Sequence, residues 1–584
     1  MLIVGLNAYH GDVAAAVLRD GHLVAALEEE RFCRIKHVAG FPERAIARGL
    51  AMAGARPADV DIWAIARGRR VHLLQKAKFA LTHRPGAALL GQYRNTAGHY
   101  ASIPQVIAKT FGLSSDGVES RARYIEHHPA HLASAFHTSG LEEAACCAID
   151  GFGDFVSVST GHGRHGRIEV MDRVYFPHSL GLLYLAITQY LGFKKYGDEY
   201  KVMGLAPYGK PVHADAMRPL VHLDPGGGFR LALEYFRHWT GEVSMNWASG
   251  EPTVPDVYTG RLLDLLGPER QPDEPVTGRH EDLAASVQRV FEESAFHVLR
   301  GAHDRVGLDT LCLAGGCAMN SVANGKIRQH TPFRSVFIQP AAGDNGTALG
   351  AALAAWHGSG SRPTGPRMEH SYWGTEYDAD EIEQVITDSG VVAQGRCEWT
   401  RLTDEPSLCR ETATLLAAGA IVGWFQGRME WGARALGNRS ILADPRRSDM
   451  REVINQKIKF RERFRPFAPS VLAEAIDEYF VDAVHDPFMI QVYPVRPEKR
   501  GVIPAVTHVD GSGRLQSVSE RSNPRYWALI RAFEAQTGVP VLLNTSFNEN
   551  EPIVELPAQA LDCFLRTDMD VLVMGPHMLR KRHG

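Results

Sequence analysis

Two histidines four residues apart stand in the run His127-His128-Pro129-Ala130-His131. Proline is favoured in the first turn of a helix, so the run predicts a helix that starts at Pro129 and continues through Ala135. Residues four apart share one helical face, and two imidazoles on such a face can bind a metal as a pair. Alone, this spacing more often serves capping or packing. Two acidic residues in glycine-rich turns shift the balance. Asp150 ends an apolar strand in Asp150-Gly151-Phe152-Gly153-Asp154, and Asp344 lies in Gly343-Asp344-Asn345-Gly346 ahead of a helix. Two histidines and two aspartates suit a divalent ion such as Fe(II), Mn(II) or Zn(II).

A second constellation is Ala314-Gly315-Gly316-Cys317-Ala318-Met319-Asn320, between a strand and a helix. Glycine there lets backbone N–H groups approach a phosphate, which makes Gly315, Gly316 and Asn320 candidate nucleotide contacts. Any tight strand-to-helix turn also accepts glycine. The stretch from Lys201 to Gly209 reads as a glycine-bearing loop at a site wall.

The third constellation is cationic. Lys457 to Arg465 alternates, which places five cations on one side if the segment is extended. Upstream, Gln426 to Ser440 adds Arg428, Arg434 and Arg439 with three glycines. Downstream, Asn544-Thr545-Ser546-Phe547-Asn548 ends an apolar strand with hydroxyl and amide donors. Clustered guanidinium groups with such donors suit a polyphosphate or carboxyphosphate-like anion. A solvated or RNA-binding basic face competes with this reading, but interleaved Phe and Gly and a net charge of −4 favour a small concave site.

The elements that must position these residues follow from patterning. Leu2–Asn7, Val13–Leu18 and His22–Glu28 read as three strands with a polar loop at Tyr9–Asp12 and a hairpin at Asp20-Gly21. The unit recurs as the strand Ala144–Ile149, a glycine-rich turn and a hairpin over Val156–Arg173. Two copies suggest duplicated α/β halves. Glu281–Arg305 is a long amphipathic helix, followed by strands at Leu311–Leu313 and Val336–Gln339 and a helix from Cys317 to about Arg328. Residues 358–366 have linker composition, which sets a boundary near 368. The chain's 584 residues exceed what one core usually organises. Eight cysteines without a CxxC pair, no basic leader and no apolar run of membrane length point to a reducing, cytoplasmic setting without membrane contact.

Taken together, the motifs resemble the NodU/CmcH family of O-carbamoyltransferases. The resemblance rests on His10, Glu28-Glu29-Glu30-Arg31-Phe32, His127-x3-His131, Asp150-Gly151, Lys201–Gly209, Gly315–Asn320, Asp344-Asn345-Gly346, Gly427–Ser440, Lys459–Ser470 and Asn544–Asn548, and spans essentially the whole chain. It implies an actin-like (ASKHA) α/β domain over 1–367 and a YrdC-like α/β domain over 368–584. The second would bind carbamoyl phosphate and ATP with Mg(2+) through Arg434, Lys459, Arg465, Arg514 and Ser546, forming carbamoyl adenylate and pyrophosphate. In the first, His127, His131, Asp150 and Asp344 would hold the family's Fe(2+), with Mn(2+) or Zn(2+) as alternatives. His10 matches the family's candidate general base, though a loop histidine beside phosphate equally serves as a donor. The implied acceptor is a hydroxyl on a small-molecule natural product. No nucleic acid partner is expected, and a homodimer stays open. A tRNA threonylcarbamoyl enzyme would need a basic path that the charge argues against. A non-catalytic actin-like scaffold would not need all four metal positions. Residues 68–120 and 222–280 carry no shared motif and are expected to set acceptor specificity.

Overall fold

The structure is a computed structural model that describes residues 1–582 apart from 69, 85, 87–90, 92–97, 101, 249, 361–364 and 403. The centre of the expected linker, and part of the 68–120 segment, lie outside the described residues. The chain divides into two compact α/β units, Met1–Met368 and Glu369–Gly584.

The first unit contains the expected duplication. Its first sheet uses β1 (Leu2–Asn7), β2 (Ala14–Arg19), β3 (His22–Glu28), β4 (Ile62–Ile65) and β5 (Ala122–Tyr124), in the order β3-β2-β1-β4-β5. Its second uses β6 (Glu143–Gly153), β7 (Val156–Arg164), β8 (Arg167–Tyr175), β9 (Thr310–Ala314) and β10 (Ser335–Ile338), in the order β10-β9-β6-β7-β8. In each sheet a central strand opens an antiparallel meander on one side and is parallel to two later strands on the other. The two sheets therefore have one topology, that of the actin-like fold, and β1 and β6 are equivalent. Every residue of β1 is buried, which its unbroken apolar run requires of a strand covered on both faces.

Three helices matter for the site: α1 (His127–Phe136), α2 (Gly278–Val306) and α3 (Asn345–Gly358). Helix α3 is rich in Ala and Gly because it lies directly on its neighbours. A Cβ at Gly350 would stand 1.8 Å from the Ala130 carbonyl oxygen of α1, and one at Gly5 would stand 2.0 Å from that of Ala348. Backbones this close tolerate no side chain at the contact.

Three sequence expectations change. Helix α1 begins at His127 rather than Pro129, which places the proline inside the first turn, where its missing N–H costs nothing. Lys201–Gly209 is not a loop: Glu199–Leu205 is helical and Ala206–Tyr208 forms a 3-10 turn. Its run of Lys, Val, Met and Leu outweighs one glycine, whose cost in a helix is only about 1 kcal/mol. Lys457–Arg465 is not extended. Asn455–Lys459 forms a π-helical turn that leaves Lys457 exposed and Lys459 buried, and Phe460 closes it in a left-handed conformation. The five cations therefore do not share one face.

The second unit is built on nine described strands in one mixed sheet. From one edge they are Cys397–Arg401, His577–Lys581, Val571–Met574, Val422–Phe425, Arg439–Ala443, Val541–Ser546, Ala468–Leu472, Ser512–Val518 and Gln491–Pro494. Helices α4 (Glu405–Ala417) and α5 (Pro524–Thr537) pack on each other through the core that includes Leu408, Leu416, Leu529 and Phe533. Among the described residues no helix is long and apolar enough to cross a membrane.

Gly350→Ala is expected to lower unfolding free energy by roughly 1–3 kcal/mol or more, because α1 and α3 must separate. Urea denaturation measures this; an unchanged midpoint would contradict the close helix contact.

Candidate functional site

The site in the first unit is assembled from the ends of its central elements. Helix α1 supplies His127 and His131. Asp150 lies in β6 where the β6–β7 register breaks between Ile149 and Gly153, so its side chain leaves the ladder. Asp344 stands immediately before α3. All four residues are buried. His127 Nε2 lies 3.1 Å from His131 Nε2, 3.3 Å from Asp150 Oδ2 and 3.4 Å from Asp344 Oδ1. His131 Nε2 lies 3.7 Å from Asp150 Oδ2 and 3.5 Å from Asp344 Oδ1. Donors bound at ~2.1 Å to a common ion stand about 3.0–3.4 Å apart when adjacent, so this spacing and donor set fit a divalent metal.

The electrostatics agree. Burial disfavours a charged His127, but Asp344 and Asp150 outweigh it and push the imidazole up to about 10. Burial would also raise Asp150 and Asp344. Hydrogen bonds and charge from His127 and His131 hold Asp150 well below the usual carboxylate range, and His10 with His127 do the same for Asp344. A proton thus stands where a cation fits. His128 is different: burial drops it to about 3, and its Nε2–H donates to the Val156 carbonyl at 2.9 Å, which makes it a neutral packing residue.

Asp344 uses both oxygens. Oδ1 faces the two histidines, and Oδ2 contacts Nδ1 of His10, in the loop after β1. Gly316 N–H donates to Asp150 Oδ1 at 2.9 Å, which brings the Gly315-Gly316 turn to the same centre. Asn320 faces elsewhere, exchanging hydrogen bonds with Gln288 of α2 and capping the next helix. The start of α3 is fixed by Asn345 Nδ2, which donates to Glu28 at 2.5 Å, while Arg31 pairs with both Glu28 and Glu30. The Glu28–Phe32 motif therefore supports the turn that carries Asp344.

Two further positions were not assigned a role from sequence. Gly153 must be glycine, since a Cβ there would stand 1.9 Å from the His127 ring. Asp154 binds the backbone of His127. Their only sequence signal is their place beside Asp150.

In the second unit, burial and the charges of Arg434, Arg461 and Arg465 hold Arg514 well below the ordinary guanidinium range, with Asp486 opposing them. Arg514 Nε is buried without a hydrogen-bond partner. Four guanidinium groups with Asp486 and Glu462, the latter 3.6 Å from Arg465, leave an excess of positive charge that suits an anion. Three expected cations are engaged otherwise. Lys459 Nζ donates to Ser546 O, Asn548 O and Asn548 Oδ1, each at 2.6 Å, and so holds the Ser546–Asn548 loop. Ser546 Oγ donates to Asn548 Oδ1 at 2.8 Å. Arg439 is buried over the Phe425 ring and bonded to backbone carbonyls, and Arg428 caps the carbonyls of Trp373 and Gly374.

A family model described as carbamoyltransferase N-terminus matches residues 2–353, and one described as carbamoyltransferase C-terminus matches residues 413–581. The chain is 41% identical to nodulation protein NolNO of Sinorhizobium fredii over 99% of this chain and 80% of that protein. It is 30% identical to nodulation protein U of Rhizobium tropici over 94% of this chain and 91% of that protein. Among solved structures, component A of (R)-2-hydroxyglutaryl-CoA dehydratase from Acidaminococcus fermentans is similar at 14% identity and a TM-score of 0.34, over 62% of this chain and 99% of that one. The chain belongs to the carbamoyltransferase family, and it is an enzyme of carbamoyl transfer.

Two outcomes are expected. Binding of a divalent ion at pH 7 should release about one proton, because His127 must lose its proton to become a ligand; indicator-dye titration with Zn(II) measures it, and zero release contradicts the assignment. Gly153→Ala should abolish stoichiometric metal binding by displacing the His127 ring, as read by metal analysis after gel filtration.

Proposed function

We propose that this carbamoyltransferase is ATP-dependent and modifies a hydroxyl on a small-molecule natural product in two half-reactions. The single observation that carries the transfer half is the convergence of His127, His131, Asp150 and Asp344 with His10 at the rim.

In the second unit, read as a YrdC-like activating domain, a water molecule hydrolyses carbamoyl phosphate, whose bond to the phosphate group breaks to give carbamate and inorganic phosphate. A carbamate oxygen then attacks the α-phosphorus of ATP, the bond to the bridging oxygen breaks, and pyrophosphate leaves with carbamoyl adenylate remaining. Arg434, Arg465 and Arg514 offset the charge that builds on the phosphates. Lys459 holds Ser546 and Asn548 so that their polar groups stay oriented. Mg(2+) accompanies the ATP.

In the first unit, His127, His131, Asp150 and Asp344 would hold Fe(2+), or Mn(2+) or Zn(2+), which supplies Lewis acidity toward the carbamoyl group. His10, with Nδ1 against Asp344, has Nε2 available to take the proton of the acceptor hydroxyl. The acceptor oxygen attacks the carbamoyl carbon, the anhydride C–O bond breaks, and AMP leaves. The Gly315-Gly316 turn has its own N–H groups engaged, Gly315 N–H on Ala342 O and Gly316 N–H on Asp150 Oδ1, so it holds the site wall rather than donating to the AMP phosphate. Eight free cysteines support a reducing, cytoplasmic setting.

The test separates the halves. Purified protein with ATP, Mg(2+) and carbamoyl phosphate should release pyrophosphate only when carbamoyl phosphate is present; ADP instead would overturn the adenylate route. Arg514→Ala and Lys459→Ala should each lower pyrophosphate release at least 100-fold. His131→Ala should leave it within about twofold of the native rate while stopping transfer, and His10→Gln should slow transfer by about 10²–10⁴. Equal loss of both steps in His131→Ala would refute two separate sites.

A further inference from the structure

Asp154 lies next to the metal candidates without being one of them. It is 6% exposed, and each of its oxygens is engaged. Oδ2 accepts the His127 N–H at 2.9 Å and the Gly68 N–H at 2.7 Å, and Oδ1 pairs with Arg67 Nε at 2.8 Å. Arg67 and Gly68 follow β4 of the first sheet, His127 opens α1, and Asp154 itself turns β6 into β7 of the second sheet. One carboxylate therefore joins both sheets at the helix end that carries a ligand.

The turn is costly. Asp154 and Phe155 are its two central residues, between the paired Gly153 and Val156, and both have positive φ, 53° and 75°. Tight hairpins of this kind favour Asn or Gly, and a phenylalanine there is strained by roughly 1 kcal/mol or more. The turn is held in this conformation while its carboxylate bonds to the start of α1, Gly68 and Arg67.

Charge supplies the second argument. A helix N-terminus carries about half a positive charge, which opposes a cation bound at that end. His127 is the first residue of α1, so the candidate metal site faces that opposition. Asp154 accepts a hydrogen bond from the same terminus while its other oxygen pairs with Arg67, so what it supplies there is an acceptor that fixes the helix start rather than a free negative charge.

We propose that Asp154 is a positioning residue that sets the metal affinity of the His127–His131–Asp150–Asp344 centre, by anchoring the start of α1 through its Arg67-paired carboxylate. The proposal rests on the reading of that centre as a divalent metal site. Removing an outer partner of a metal ligand typically lowers metal affinity about 10–100-fold. Asn suits the turn conformation, so Asp154→Asn removes the charge while keeping the backbone and one acceptor oxygen; Asp154→Ala removes both.

The experiment is Co(II) titration of the stripped full-length protein, following the visible ligand-field spectrum, with the melting temperature of the stripped protein measured alongside. The native protein should bind one Co(II) per chain. Asp154→Asn should bind it about 10–100-fold more weakly with a shifted spectrum, and Asp154→Ala more weakly still. Native affinity and spectrum in Asp154→Asn, whatever its melting temperature, would overturn the proposal and leave the metal reading standing. Absence of Co(II) binding by the native protein would overturn both.

Discussion

Two imidazole nitrogens and two carboxylates face one another across 3.1–3.7 Å in a buried volume. Lone pairs and negative charges at that distance repel unless something positive stands among them, and the low polarity of the surroundings magnifies the repulsion. Much of the first unit follows from this demand. Helix α1 must end its approach at His127, β6 must break register to release Asp150, and α3 must start with its preceding turn locked by Glu28. Glycine is required at 153 and 350 because the elements carrying the ligands are pressed together. Stability is given up at the turn between β6 and β7 in the same cause.

The second unit meets the opposite problem. Arg434, Arg461 and Arg465 act on a half-buried Arg514, with Asp486 and the Arg465-paired Glu462 as the acidic groups beside them. An excess of half-buried positive charge is costly in an isolated protein and is relieved by a bound oxyanion. Each unit thus carries a charge imbalance, and the two imbalances have opposite sign.

The metal candidates were legible because their chemistry depends on residue type and short spacing: His127 and His131 share a helical face, and Asp150 and Asp344 sit beside glycines at element ends. The duplicated fold was legible for a similar reason, since both copies begin with an apolar strand, a polar loop and a hairpin. What escaped was set by tertiary contact. Alternation from Lys457 to Arg465 suggested a strand, but packing of Ile454 and Ile458 into the core wound the segment into a helical turn. Three arginines between 428 and 439 looked alike in sequence, yet Arg439 is consumed by backbone carbonyls and Arg434 lies close enough to act on Arg514. Asp154 could not be told from an ordinary turn residue until its three partners, distant in sequence, were brought to it.

Helix α3 closes the first unit in an unusual order. It is the last of the unit's helices in sequence, yet it covers β1, the first strand, through the Gly5 and Ala348 contact. During synthesis β1 leaves the ribosome early and stays without this cover until nearly the whole unit has been made. Asp344 arrives with that same helix, so the ligand set is completed at the moment the first strand is sealed. A nascent chain interrupted before α3 therefore holds both an open apolar sheet and an incomplete set of ligands.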